Sequence, residues 1–471
     1  MQFTTLAYAK FFALAFVVTW LSARVRTVRL SFLLAASYFF YAQSGVAFLG
    51  LIFACSSADF LLSHAIGRAK DPRHRRAWLA LTVVMNLSVL AYFKYAKFGV
   101  DTALLALDAL GVHVPPPLLS IALPVGISFF TFESMSYVID VYRGELVPHP
   151  SYLEYLTFVA FFPHLVAGPI VRPRDLLPQL ARPPVWEEGE ASAALLLIAT
   201  GLFKKLAIAD YLALNLVDRV FDAPTQYSAL ECYVAMVGYA VQIYADFSGY
   251  TDIAIGSAAL LGVRFPPNFA APYQAHDLVD FWRRWHISLS TWLRDYLYIP
   301  LGGNRHGPLR TYANLIATML LGGLWHGPSW TFVVWGGLHG VGLACNRAWR
   351  ERFGDVLRAR PWLRLVSTFA TFQFVLLAWV FFRARSFRDA RAIFGELSTL
   401  TSYHPNLDPR VLLVLACGLA MHFLPLSLEG KLRLRFAGLP GIVQGAALFA
   451  LLLLVRRMAS AEAVPFVYFQ F

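Results

Sequence analysis

The residues able to do chemistry crowd into one stretch, 242–346, in the most apolar part of the chain. It holds His286, His326 and His339, the carboxylates Asp246 and Asp252, and the arginines Arg283, Arg284, Arg294 and Arg305. Ionisable groups are expensive inside a bilayer and mark functional sites there. A neutral histidine is the usual proton acceptor near pH 7. The stretch therefore reads as the active centre of an integral-membrane enzyme, with His326 and His286 as its first candidates.

Spacing then suggests what must position these groups. Trp282, Trp285, Leu289, Trp292 and Tyr296 recur at three- and four-residue intervals, which predicts one helix face. Arg283, His286, Ser290 and Arg294 fall on a second face of the same expected helix, which the glycines of Leu301–Gly303 end. From Thr311 to Asn346 there is no Asp, Glu, Lys or Arg. That run is too long for one upright span of about 20 residues. Pro328 with Gly322, Gly323 and Gly327 predicts two helical pieces with His326 at the break, facing a cavity and not lipid. Asp246, Ser248, Tyr250 and Asp252 surround Gly249 and predict a second helix break; Asp246, Ser248, Tyr250 and Trp325 are expected to line the cavity.

Composition sets the frame. The 471 residues are 58% hydrophobic, 15% aromatic and 14% charged, with mean hydropathy +0.56. A soluble domain carries about 25% charged residues. The fold class expected is an all-α polytopic membrane protein, a single membrane domain over residues 1–471. It divides into amino-terminal helices (1–120), a core (121–346) and carboxy-terminal helices (347–471). The alternating pattern of a membrane barrel is absent. The net charge of +12 fits basic cytoplasmic loops. Because it sits beside apolar spans, no nucleic-acid partner is expected. Cys55, Cys232, Cys345 and Cys417 are scattered without CxxC spacing, so neither a metal site nor a disulfide framework is expected.

Along the chain, residues 3–22 form a first span with no A-x-A site before Arg24, so it is expected to be retained. Residues 30–43 and 45–66 follow, joined at Gln43-Ser44-Gly45. Both basic loops, at Arg24–Arg29 and 67–77, are cytoplasmic if the amino terminus is outside. Residues 78–99 then return outward, 100–120 make an external connection, and 121–142 come back in. Pro163, Gly168, Pro169 and Pro173 predict a broken segment in which His164 is more often structural than functional. Lys204 and Lys205 are expected to mark an interface or snorkel. The arginines between Arg347 and Arg364 form a cytoplasmic loop or interfacial helix, and three apolar segments follow near 363–382, 409–427 and 440–456.

The blocks DFSGYTDIAIG, FPPNFAAPY, FWRRWHISLSTWLRDYLYIPLGGNR and GLWHGPSWTFVVWGGLHG resemble the membrane-bound O-acyltransferase (MBOAT) family. Within it they are similar to the bacterial alginate O-acetyltransferase branch, as are PHLVAGPIVRP, GLFKKLAIAD and the terminal PFVYFQF. The resemblance is strong over roughly 120–346 and looser elsewhere. It implies a ring of about 10–13 tilted helices, some re-entrant, around a central funnel. An acyl donor, acetyl-coenzyme A or another, would enter as substrate from the cytoplasm; no cofactor is implied. His326 matches the family's invariant histidine and His286 its second characteristic one. The branch O-acetylates alginate, cellulose or peptidoglycan with periplasmic acetyltransferase partner proteins, in the bacterial inner membrane.

Acyl transfer to a hydroxyl needs a base for the proton and stabilisation of an oxyanion, and His326 suits the base. No nucleophile elbow is present, so a serine acyl-enzyme is not indicated. A buried Cys345 is a weak alternative acceptor. Arg283, Arg284, Arg294 and Arg305 suit the phosphates of the donor, or else serve as positive-inside anchors. His339 is a lesser candidate. A transporter, a D-alanyl-type transferase and a catalytically inert scaffold remain alternatives; the lack of an internal repeat argues against the first.

Overall fold

The computed structural model describes residues 1–359, 361–459 and 464–467; Arg360 of the arginine-rich run and Tyr468–Phe471 of the PFVYFQF end lie outside the described residues. Among the described residues all regular structure is helical. Among the described residues five helices are long and apolar enough to cross a membrane: Ala47–Arg68, Pro72–Ala109, Gly189–Asp222, Trp362–Arg383 and Gly441–Met458. Leu6–Leu21 and Pro409–Phe423 are shorter apolar helices. Large apolar side chains such as Leu21, Leu61, Phe369 and Ile442 stand on the outer surface, where hydrocarbon and not water is the compatible solvent. The chain folds into two compact units, residues 1–187 with 257–266 and residues 188–256 with 267–471.

The first unit begins with α1 (Leu6–Leu21), α2 (Arg26–Ala42) and α3 (Ala47–Arg68). The turn expected at Gln43–Gly45 is present, with Gly45 at φ +145°. Next, α4 (Pro72–Ala109) is one 38-residue helix. Residues 100–109, expected in an external connection, are therefore helical; no Gly or Pro falls between Val100 and Leu110, and a π-helical turn at Ala91–Tyr95 is absorbed without ending the helix. After α5 (Ile127–Arg143), the proline-rich segment breaks as expected into α6 (Tyr152–Ala160), α7 (Phe162–Leu165) and α8 (Pro173–Ala181). His164 is fully buried in that break, its Nδ1 2.8 Å from Glu133 Oε1 on α5. The same carboxylate oxygen accepts the Val171 N–H at 3.2 Å. This carboxylate closes the broken backbone from the inside, which answers the requirement that irregular backbone be satisfied by protein.

The second unit is built on α9 (Gly189–Asp222), which carries π-helical turns at Phe203–Ala209 and Ala213–Val217, and on α10 (Ala229–Leu260) up to residue 256. The break expected at Gly249 does not occur: α10 is a continuous 32-residue helix. A Cβ on Gly249 would lie 2.7 Å from the Gly201 carbonyl oxygen, and one on Gly201 would lie 2.6 Å from the Gly249 oxygen. The glycine thus serves close helix crossing, a use membrane helices make of small residues, and not a turn.

Further along come α11 (Leu278–Arg284), α12 (Ile287–Leu293), α13 (Gly307–His326) and α14 (Trp330–Ala359). The break after His326 falls where expected. Gly323, expected to loosen that turn, sits inside α13, where an added Cβ would collide with the Phe332 carbonyl; on α14, Gly336 meets Met319 in the same way. The two helices form a tight hairpin because these positions have no side chain. The arginine-rich run is helical in α14 and in α15 (Pro361–Arg383), with Arg350 3.6 Å from Asp277. Then α16 (Phe387–Ser398), α17 (Pro409–Phe423), α18 (Leu426–Ala437) and α19 (Gly441–Met458) complete the unit, and Phe466 and Val467 are buried.

Candidate active site

The helix expected through Trp282–Tyr296 is two helices. His286 takes a left-handed conformation, φ +43° and ψ +57°, between α11 and α12. The aromatic and basic residues on either side therefore share no common face. Such a conformation at a non-glycine residue costs roughly 1–3 kcal/mol and persists only when its surroundings impose it. The FPPNFAAPY segment does so: Asn268 O accepts the Ile287 N–H at 2.9 Å, and Ala270 N–H donates to Arg284 O at 3.0 Å. Asn268 Oδ1 lies 3.3 Å from His286 Nδ1 and accepts from Ser288 N–H at 3.1 Å and Ser288 Oγ–H at 2.8 Å.

His326, 3% exposed, ends α13, and Gly327 leaves it in extended backbone before Pro328. Aromatic rings meet its imidazole edge-on, among them Trp325 at 5.1 Å, Trp335 at 5.0 Å and Phe382 at 5.2 Å between centroids. Trp325 also faces His286, at 6.2 Å. One indole therefore touches both histidines. His339 is buried behind Trp335, at 4.9 Å, and its Nδ1 accepts from Trp282 Nε1–H at 3.3 Å.

Asp246 is buried on α10, with Lys205 Nζ 2.6 Å from its Oδ1. Lys205 also lies 2.6 Å from Asp210. Lys205 thus neither snorkels nor marks an interface, because two carboxylates neutralise it inside the unit; Lys204 pairs with Asp252 at 2.7 Å. The cluster holds the end of the described chain: Val467 N–H donates to Asp246 Oδ2 at 2.8 Å and Lys205 Nζ donates to Val464 O at 3.0 Å. Tyr250 packs on Phe466 at 4.4 Å, and Phe247 touches both Phe466, at 5.7 Å, and His286, at 4.6 Å. Ser248 is buried one position further along α10.

The four arginines are not equivalent. Arg283, Arg294 and Arg305 are exposed, with Arg294 on Asp295 at 2.7 Å. Arg284 bonds Asp280 at 2.9 Å and donates to Ala270 O at 3.3 Å, a packing role. Cys345, taken as buried in the sequence, is exposed on α14. Sequence reasoning passed over Asn268, Asp210 and Glu133, and gave Lys205 no internal partner. The available signals were an asparagine between prolines and a tight turn, and lone charges in apolar helices.

A helical membrane protein with buried histidines at two chain breaks and basic residues exposed nearby in sequence is the class these features define. Residues 125–387 match the family model "MBOAT, membrane-bound O-acyltransferase family". The chain belongs to that family and is an O-acyltransferase. It is 44% identical over 367 residues to the "Probable alginate O-acetylase AlgI" of Azotobacter vinelandii, covering 78% of this chain and 72% of that protein. It is 36% identical over 384 residues to a Helicobacter pylori "Peptidoglycan O-acetyltransferase", covering 76% and 71%. A Bacillus subtilis "Teichoic acid D-alanyltransferase" is 28% identical over 298 residues, covering 58% and 71%.

Proposed function

We propose that the protein transfers an acetyl group from a cytoplasmic thioester donor, acetyl-coenzyme A or an equivalent, for O-acetylation of an extracellular polysaccharide, and that the polysaccharide is alginate. The similarity to alginate O-acetylases over 78% of the chain supports alginate over the more distant peptidoglycan and teichoic acid relatives. The observation that carries the mechanism is the placement of His326 at the α13–α14 break inside a box of Trp325, Trp335 and Phe382. His326 takes the proton of the acceptor hydroxyl as its oxygen bonds to the acyl carbon. The carbon–sulfur bond breaks, and the proton passes on to the departing thiolate. The aromatic walls keep bulk water, a competing acceptor, away from the thioester. His286, joined to His326 through Trp325, orients the donor; Arg283, Arg294 and Arg305 attract the donor's phosphates at the cytoplasmic mouth.

In this reading the protein lies in a bacterial inner membrane with its amino terminus periplasmic, and periplasmic acetyltransferase partners receive or use the transferred group. The positive-inside rule supports that orientation, because Arg68, Lys70, Arg73, Arg75 and Arg76 crowd one connection. The test is to supply labelled acetyl-coenzyme A to the protein in proteoliposomes with oligomeric alginate and the periplasmic partners. Acetyl ester on alginate supports the reading. Labelled ester on peptidoglycan fragments and not on alginate moves the assignment to the second substrate.

A further inference from the structure

The kink at His286 has a single side chain at its centre. A backbone N–H can only donate, so the Ser288 N–H at 3.1 Å fixes which atom of the Asn268 amide is the oxygen. Ser288 Oγ, 2.8 Å from that oxygen and 3.4 Å from His286 Nδ1, gives its proton to the nearer atom. The remaining neighbour, His286 Nδ1 at 3.3 Å, faces an acceptor and therefore carries a hydrogen. A neutral imidazole protonated at Nδ1 has its lone pair at Nε2. Asn268 also holds the backbone, since its carbonyl accepts the Ile287 N–H immediately after the left-handed residue. Phe247 and Trp325 pack on His286, and neither titrates near neutrality.

We propose that Asn268 is a positioning residue for acyl transfer: its side-chain oxygen selects the Nδ1–H form of His286 and, with its carbonyl, sets the left-handed turn that aims the ring. The proposal rests on the reading of His286 as a site residue. Asn268 touches neither donor nor acceptor; it acts through the imidazole.

Two substitutions separate this from a packing role. Asn268→Leu keeps the volume and removes the acceptor; Asn268→Asp keeps the acceptor and adds a charge. With the full-length protein in proteoliposomes, Asn268→Leu is expected to lower kcat roughly 10- to 100-fold, the order that misplacement of a reacting group produces, with KM for acetyl-coenzyme A changed little. Asn268→Asp is expected to recover most of kcat and to move the acidic limb of the pH–rate profile to higher pH, because a carboxylate favours the imidazolium. Equal impairment by both substitutions with an unshifted pH profile overturns the proposal, as does wild-type turnover in Asn268→Leu. The underlying reading is tested separately by His286→Ala: full activity there removes His286 from the site and the proposal with it. An impaired His286→Ala beside an active Asn268→Leu defeats the positioning role alone.

Discussion

Lys205 and Asp246 lie 2.6 Å apart within one folded unit, both side chains nearly sealed from solvent, with Asp210 equally close to the lysine on its other side. A buried ion pair adds little net stability, but removing one partner strands a charge at a cost of about 3–5 kcal/mol. Lys205→Met is therefore expected to lower the thermal unfolding midpoint in detergent sharply and to reduce the folded yield. Lys204→Met, at a partly exposed pair, is expected to change both far less. Equal effects at the two positions contradict the assignment of Lys205 as the internal counter-ion.

The α13–α14 hairpin makes a second prediction. Gly336 has no room for a Cβ against the Met319 carbonyl. Gly336→Val is expected to spread the helices, at about 1–3 kcal/mol of overpacking strain, and to lower turnover by moving Trp335 against His326. Gly395, with open space around it, is the control: Gly395→Ala is expected to leave melting and activity unchanged. Wild-type turnover in Gly336→Val removes the link between the crossing and the histidine.

The arginines divide into two groups. Arg283→Ala and Arg305→Ala are expected to raise KM for acetyl-coenzyme A several-fold with kcat nearly constant, as loss of uniform substrate binding does. Arg284→Ala is expected instead to lower stability, because Arg284 holds Asp280 and the Ala270 carbonyl. A donor KM unchanged by Arg283→Ala and Arg305→Ala leaves these residues as positive-inside anchors.

Orientation is checked by labelling. In a cysteine-free background, Lys70→Cys is expected to resist an impermeant maleimide in intact cells and Val112→Cys to react. Outside labelling at position 70 reverses the topology.

The class of fold and the chain break at His326 were legible because their signals are local: a composition far more apolar than that of an ordinary soluble domain, and an uncharged run with Pro328 at its break. The kink at His286 was not legible. Periodicity across Trp282–Tyr296 is that of a continuous helix, and the left-handed turn is imposed by Asn268, 18 positions earlier. Gly249 and Gly323 misled for a related reason, since a glycine that breaks a helix and one that lets two helices touch look the same in one dimension. No local signal names the partner of Asp246: Lys205 lies 41 positions away, and only tertiary packing joins them.

The account depends most on His326 as the proton acceptor. His326→Gln keeps a hydrogen-bonding side chain of similar size and removes basicity, while His339→Gln, which keeps the acceptor for Trp282, is the matched control. The measurement is the initial rate of acetyl transfer from acetyl-coenzyme A to alginate in proteoliposomes for both variants, normalised to folded protein. His326→Gln is predicted to fall by at least the roughly 10²–10⁴-fold that a general base contributes, and His339→Gln to keep most of the wild-type rate. A near wild-type rate for His326→Gln would contradict the mechanism and make His286 the better candidate for the base.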